Sequence, residues 1–128
     1  MAADSAARFL AAVPALPVSD EQRAVDFWVQ VLGFQALTHD GQPLGILVRD
    51  DVEIHLWVAD GSAKGAERYL AGSASCRLQV DGVDALHERC RERGVVHPSA
   101  PLRDQPWGVR EFGALDPDGN LLTLYQQQ

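Results

Sequence analysis

The chain is written twice. Its first half reads as a strand over 9–18, a helix over 20–32 and several strands ending in Ile54-His55-Leu56-Trp57. The second half repeats that order, with a strand over 74–80, a helix over 83–93 and strands ending in Leu122-Thr123-Leu124-Tyr125. Leu16-x-Val18 corresponds to Leu78-x-Val80, and each is followed by a helix and then a glycine, Gly33 or Gly94. Self-similarity of this kind constrains the fold more than any single motif does. Each unit is βαβββ and spans roughly 50 to 60 residues, too few to bury both faces of its own sheet. Two units must therefore pack against each other or against a partner chain. The expectation is one α+β domain over 1–128, with modules over 8–60 and 73–128 joined by the connector 61–72, forming a curved mixed sheet around a cavity. Whether the modules pair within one chain or by exchange between chains stays open.

Local chemistry marks the element ends. Ser19 with Gln22 three residues on has the pattern of a capping box for the first helix. Ala24, Phe27 and Val31, with Val25, Trp28 and Leu32, form its apolar stripe, and Gly33 stands where a left-handed residue closes a helix. The second helix carries Val83, Leu86 and Cys90 on one face, with Asp81 as its expected cap. The closing hairpins turn at Asp50-Asp51 and at Asp116-Pro117-Asp118-Gly119-Asn120. In the longer turn, proline presets φ, glycine accepts positive φ, and Asp and Asn can bond the nearby backbone. A turn of helix is expected at 66–70.

Composition excludes several classes of partner. The net charge of −7 argues against nucleic acid, which needs a basic face. It is compatible with a cationic small molecule. The two cysteines, Cys76 and Cys90, form no CxxC pair and imply neither a disulfide framework nor a cysteine-rich metal site. No apolar run approaches the ~20 residues of a membrane helix. The alanine-rich N-terminus is interrupted by prolines and makes a poor signal peptide. A cytoplasmic protein without a membrane partner is expected.

Side chains alternate along a strand, so each strand has two readings. In 52–58, Ile54, Leu56 and Val58 share one face and Glu53, His55 and Trp57 the other. In 74–80, Cys76, Leu78 and Val80 oppose Ser75, Arg77 and Gln79; in the last strand, Leu122 and Leu124 oppose Thr123 and Tyr125. The apolar faces belong under the helices. The mixed polar and aromatic faces suit a small-molecule cavity, and Trp57 and Tyr125 stand at matching positions in the repeat.

The duplicated strand-helix-hairpin, the helix ending Leu32-Gly33-Phe34 and the DPDGN turn before the last strand resemble the vicinal oxygen chelate superfamily of glyoxalases, dioxygenases and bleomycin-resistance proteins. The resemblance covers roughly Val13 to Tyr125. VRDDV (48–52) and QPWGVREF (105–112) are most similar to the bleomycin-resistance branch.

Metalloenzymes of this superfamily place His, Glu or Gln at four related strand positions, which fall here on Val13, His55, Ser75 and Thr123. Valine cannot ligate and the two hydroxyls are weak donors, so His55 alone is a good ligand. His39, His87 and His97 do not match these positions. The resemblance therefore implies no metal and no other cofactor, and points away from the superfamily's metal-dependent chemistry. No alternative catalytic set stands out: Ser73 and Ser75 lack a nucleophile-elbow context, and nothing visible activates Cys76.

What the resemblance implies instead is sequestration of a planar, cationic drug by a homodimer, conferring antibiotic resistance. Trp107 matches the family's stacking tryptophan, while Leu44 lies near the place of a second stacking aromatic. Arg110 either contacts a ligand or pairs with a nearby acid. Glu53 and Glu111 would contribute acidity, alongside His55, Trp57, Ser75, Arg77, Thr123 and Tyr125. Two other readings stay open: a lyase, isomerase or dioxygenase with an unusual metal site at His55, and a binder of another metabolite.

Overall fold

The computed structural model describes residues 6–37 and 44–128, with Leu44 described by its backbone alone. The first module contains β1 (Ala15–Val18), α1 (Glu21–Gln30), β2 (Gln35–Ala36), β3 (Leu44–Arg49) and β4 (Val52–Val58). A 3-10 turn at Arg68–Leu70 lies in the connector, within the stretch expected to turn. The second module repeats the plan with β5 (Ser75–Gln79), α2 (Val83–Glu92), β6 (Arg103–Asp104), β7 (Val109–Leu115) and β8 (Leu121–Gln127). The strands form two four-stranded mixed sheets, ordered β1-β4-β3-β2 and β5-β8-β7-β6. In each, the first strand runs parallel to the last and the hairpin is antiparallel. The repeat holds at the level of register, with Leu16 opposite Leu56 and Leu78 opposite Leu124.

The first strand is shorter than expected. Phe9 and Leu10 are exposed, and pairing begins with Ala15 opposite His55. Because β4 starts only at Val52, the parallel ladder has no rung for residues 9–11.

The helix ends also differ from the local reading. Asp20, not Ser19, caps α1, its Oδ1 accepting the Arg23 N–H at 2.9 Å. Ser19 is drawn to the other module, its hydroxyl donating to Asp118 Oδ1 at 2.6 Å. Gln22 donates to Asp26 instead of reaching back to the cap. The C-terminal expectation holds, since Gly33 has φ +74° and the Phe34 N–H reaches the Trp28 carbonyl at 3.0 Å. In α2, Asp81 makes no cap. Gly82 precedes the helix at φ 75°, and Gln126 Oε1 on β8 accepts both the Gly82 and Val83 N–H groups, at 2.9 and 3.0 Å.

A single apolar cluster runs through both modules. Trp28 is fully buried and meets Phe34 edge-to-face with ring centroids 4.9 Å apart. Leu47, Ile54 and Leu56 of the first sheet and Phe112, Leu122 and Leu124 of the second lie beneath the helices, each near zero exposure. Burying each such side chain contributes about 1.5–3 kcal/mol.

Polar bonds tie the modules together on top of this packing. Arg89 on α2 donates to the Val31 and Gln30 carbonyls at 2.6 Å, placing a cation at the C-terminus of α1. The fully buried Asn120 donates to the Pro17 carbonyl at 2.9 Å and to Asp116 Oδ2 at 2.8 Å, and accepts the Ala74 N–H at 2.9 Å.

Candidate functional site

Opposite the helices, each sheet presents its second face. In the first module this face carries Glu53, His55 and Trp57 from β4, with Ala15 opposite His55 and Pro17 opposite Trp57. His55 Nε2 lies 2.6 Å from Glu53 Oε2, so the imidazole is held by its neighbour on the same face. Leu44 pairs with Trp57 through the backbone, but its side chain lies outside the described residues, as does His39.

The second module's equivalent face is more polar. Arg77 pairs opposite Thr123, and Tyr125 lies between Gln79 and Glu111. The Arg77 guanidinium bonds Glu111 Oε2 at 2.8 Å and stacks 4.7 Å from the centre of the Tyr125 ring. The two partners together fix Arg77 across the strands. A hollow of about 190 Å³ opens here, with Arg77, Glu111, Gly113 and Thr123 in its floor and Ser99, Arg103 and Gln105 along its edge. Gly113 lets the segment above it pack closely: a Cβ there would come within 2.8 Å of Ala100 Cβ.

Trp107 occupies the tip of the β6–β7 hairpin. Gln105 and Gly108 close that turn through the Gly108 N–H to the Gln105 carbonyl at 3.1 Å, with Pro106 between them and Gly108 at φ +91°. The indole is 63% exposed, which removes core packing as its role. It stands two residues beyond Gln105, which lines the hollow, and is not itself a lining residue.

Two parts of the expected site come apart. First, the residues expected to share one cavity do not do so within a single chain: the hollow holds Arg77 and Thr123 but none of Glu53, His55 and Trp57. Second, Arg110 faces the helix. It binds Asp84 on α2 at 2.9 Å and Asp104 at 3.1 Å, and these bonds, Asp84 first, raise its pKa further. Of the two roles open to Arg110, pairing with acids is the one observed. Phe112 could have shown this from the sequence: two residues along the same strand, it shares Arg110's face and belongs to the core. Ser99, Arg103 and Gln105 carried no signal: Ser99 and Gln105 lie outside the strands, and the two-residue β6 that holds Arg103 is too short for alternation to be read.

The metal-ligand positions hold Val13, His55, Ser75 and Thr123. With one strong donor among four positions, this set does not fit a divalent ion. Among the described residues, no three His, Cys, Asp or Glu side chains converge on a common point. Neither thiol is primed as a nucleophile: burial pushes Cys76 and Cys90 up to about 11. Chemically, these faces offer aromatic side chains, an arginine held between a carboxylate and a ring, and small hydroxyl donors, which suits recognition.

Known proteins resemble this chain in sequence and fold. A bleomycin resistance protein of Geobacillus stearothermophilus is 38% identical over 129 residues, covering 92% of this chain and 97% of its own length. The bleomycin-binding protein of bleomycin-producing Streptomyces verticillus, solved with copper(II)-bleomycin, superposes with a TM-score of 0.73 at 30% identity, covering 95% of this chain and 99% of that one. An antibiotic-binding protein from Streptomyces sp. CB03234 gives a TM-score of 0.73 at 30% identity, covering 95% and 100%. The sequence matches the family described as Glyoxalase/Bleomycin resistance protein/Dioxygenase superfamily over residues 10–124. With its paired βαβββ units, this chain belongs to that superfamily.

Proposed function

We propose that this chain is a metal-independent binding protein that confers antibiotic resistance by sequestering a bleomycin-type drug, acting as a homodimer in the cytoplasm. The observation that carries the reading is an indole left 63% exposed at the tip of a hairpin bordering an open, mixed polar and aromatic face. Similarity to bleomycin resistance and bleomycin-binding proteins supplies the drug class. Trp107 is the stacking surface in this reading, and Arg77, Glu111, Thr123 and Tyr125 line the adjoining wall. Ser75 and Gln79 extend that wall along β5. Glu53, His55 and Trp57 belong to the facing wall, which a second copy would bring opposite. The net charge of −7 favours a cationic ligand over nucleic acid. No helix among the described residues is long and apolar enough to cross a membrane.

Calorimetry with metal-free bleomycin tests the reading. Binding is expected, with affinity unchanged by a chelator. Trp107→Ala should weaken it about tenfold or more while leaving the unfolding midpoint in place. The absence of both heat and thermal shift with the wild-type chain would sink the drug assignment. Light scattering should give twice the 13.9 kDa chain mass, and a monomer at working concentration would remove the facing wall.

A further inference from the structure

The larger cavity lies on the other side of the sheets. About 400 Å³ in volume, it opens between the modules beneath the helices, with Phe34, Leu78 and Leu86 among its apolar walls. Asp50, Asp51 and Asp81 also line it. It is separate from the hollow over Arg77 and Thr123, with which it shares no lining residue.

Its origin lies in the repeat. In the second module, the turn Asp116–Asn120 reaches onto the junction of β1 and α1 and fills that place with the buried Asn120. The first module's turn has two residues, Asp50 and Asp51, between β3 and β4. It faces the matching junction of β5 and α2, where Gln79, Val80 and Asp81 line the opening, and makes no side-chain hydrogen bond to it among the described residues. The gap is therefore built into the architecture.

The charges around the gap are unequally matched. Arg49, which also lines it, donates to the Leu32 carbonyl at 2.6 Å and lies 3.6 Å from Asp50. Asp51 and Asp81 have no ion pair or side-chain hydrogen bond among the described residues. An open cleft of this size, with apolar walls at Phe34, Leu78 and Leu86 and spare carboxylates at its edge, complements a molecule with an apolar body and a protonated amine, and disfavours an anion of the same shape. We infer that this cavity is a second ligand site, distinct from the hollow over Arg77 and Thr123, and that it takes small amphipathic organic cations.

Tryptamine is a suitable probe, with tryptophol and indole-3-acetate as neutral and anionic analogues sharing its ring. Titration followed by amide NMR should give tryptamine a Kd of about 0.1–1 mM, with shifts centred on Phe34, Leu78 and Leu86. Tryptophol should bind about tenfold more weakly and indole-3-acetate more weakly still. The double variant Asp51→Asn with Asp81→Asn should lose about tenfold for tryptamine while leaving bleomycin affinity unchanged. Leu86→Trp, checked for an intact fold by its amide spectrum, should abolish tryptamine binding by filling the chamber. Equal binding of the three probes, an unaffected double variant, or shifts centred on Thr123 and Trp107 would each overturn the inference. A failure of bleomycin binding alone would bear on the proposed drug and not on this cavity.

Discussion

The turn between β7 and β8 runs from Asp116 to Asn120 and ends in a fully buried side chain, whereas its counterpart between β3 and β4 is Asp50-Asp51, both exposed. Both turns close antiparallel hairpins at matching places in the repeat. The longer one can fold back on itself, with Asp116 accepting the Asp118 and Asn120 N–H groups at 3.0 and 2.8 Å. That internal scaffold projects Asn120 and Asp118 onto the first module, where Asp118 receives Ser19 and Arg23. The shorter turn, with Asp50 at φ 51°, has no residues to spare for a reach. A repeat thus yields one closed and one open seam, and three extra turn residues decide which is which.

The largest test of this asymmetry is Gly72→Ala. Gly72 has φ +82°, and a Cβ there would come 2.0 Å from the Asp118 carbonyl oxygen, a backbone atom that cannot swing aside. We expect a loss of more than about 3 kcal/mol in urea unfolding. Asn120→Ala removes three bonds around the buried amide and should cost about 2–4 kcal/mol. A loss below about 1 kcal/mol in that variant would mean the closed seam is held by apolar packing alone. Gly82→Ala supplies the contrast at the open seam: φ is similar at +75°, but no atom lies within 4 Å of the added Cβ. Its cost should be only the left-handed backbone strain, about 1 kcal/mol. Equal losses for Gly72→Ala and Gly82→Ala would erase the distinction between the seams.

The smallest effect is a displaced titration. Burial raises the Asp116 carboxyl above its ordinary 3.8, against the opposing pull of its bonds from Asn120 and Asp118. The folded chain therefore holds that proton more tightly than the unfolded chain. Its contribution to stability is full below pH 3.8 and is lost as pH rises through the folded value. Carbon-detected NMR should place the Asp116 midpoint above those of exposed aspartates; a midpoint below 3.8 would show that the hydrogen bonds outweigh burial.

Much of the fold was legible because it rests on local patterns. Leu16 and Leu78 fell in register as the repeat implied, and alternation put Ile54, Leu56, Leu122 and Leu124 under the helices. What escaped was long-range. Ser19 has the right chemistry for a cap, but Asp118, 99 residues away, competes for it. Asn120 reads as an ordinary turn residue, and only its contact with Pro17 shows that it joins the modules. Of the candidate site, the facing of Arg77, Thr123 and Tyr125 could be read from period-two alternation. Their separation from Glu53, His55 and Trp57 could not, because alternation says which side a residue takes and not how two sheets sit. Trp107 stood out as a candidate by resemblance, and its exposure comes from the hairpin that carries it.

The amide of Gln126 has a consequence for assembly during synthesis. Helix α1 carries its own cap in Asp20, so its first turn can close as soon as the helix leaves the ribosome. Helix α2 borrows its cap from β8, 43 residues downstream of Val83. Its opening turn stays unfinished until the last strand has emerged and docked. The two halves share a plan but mature in sequence, and the second becomes complete only once β8 has been made.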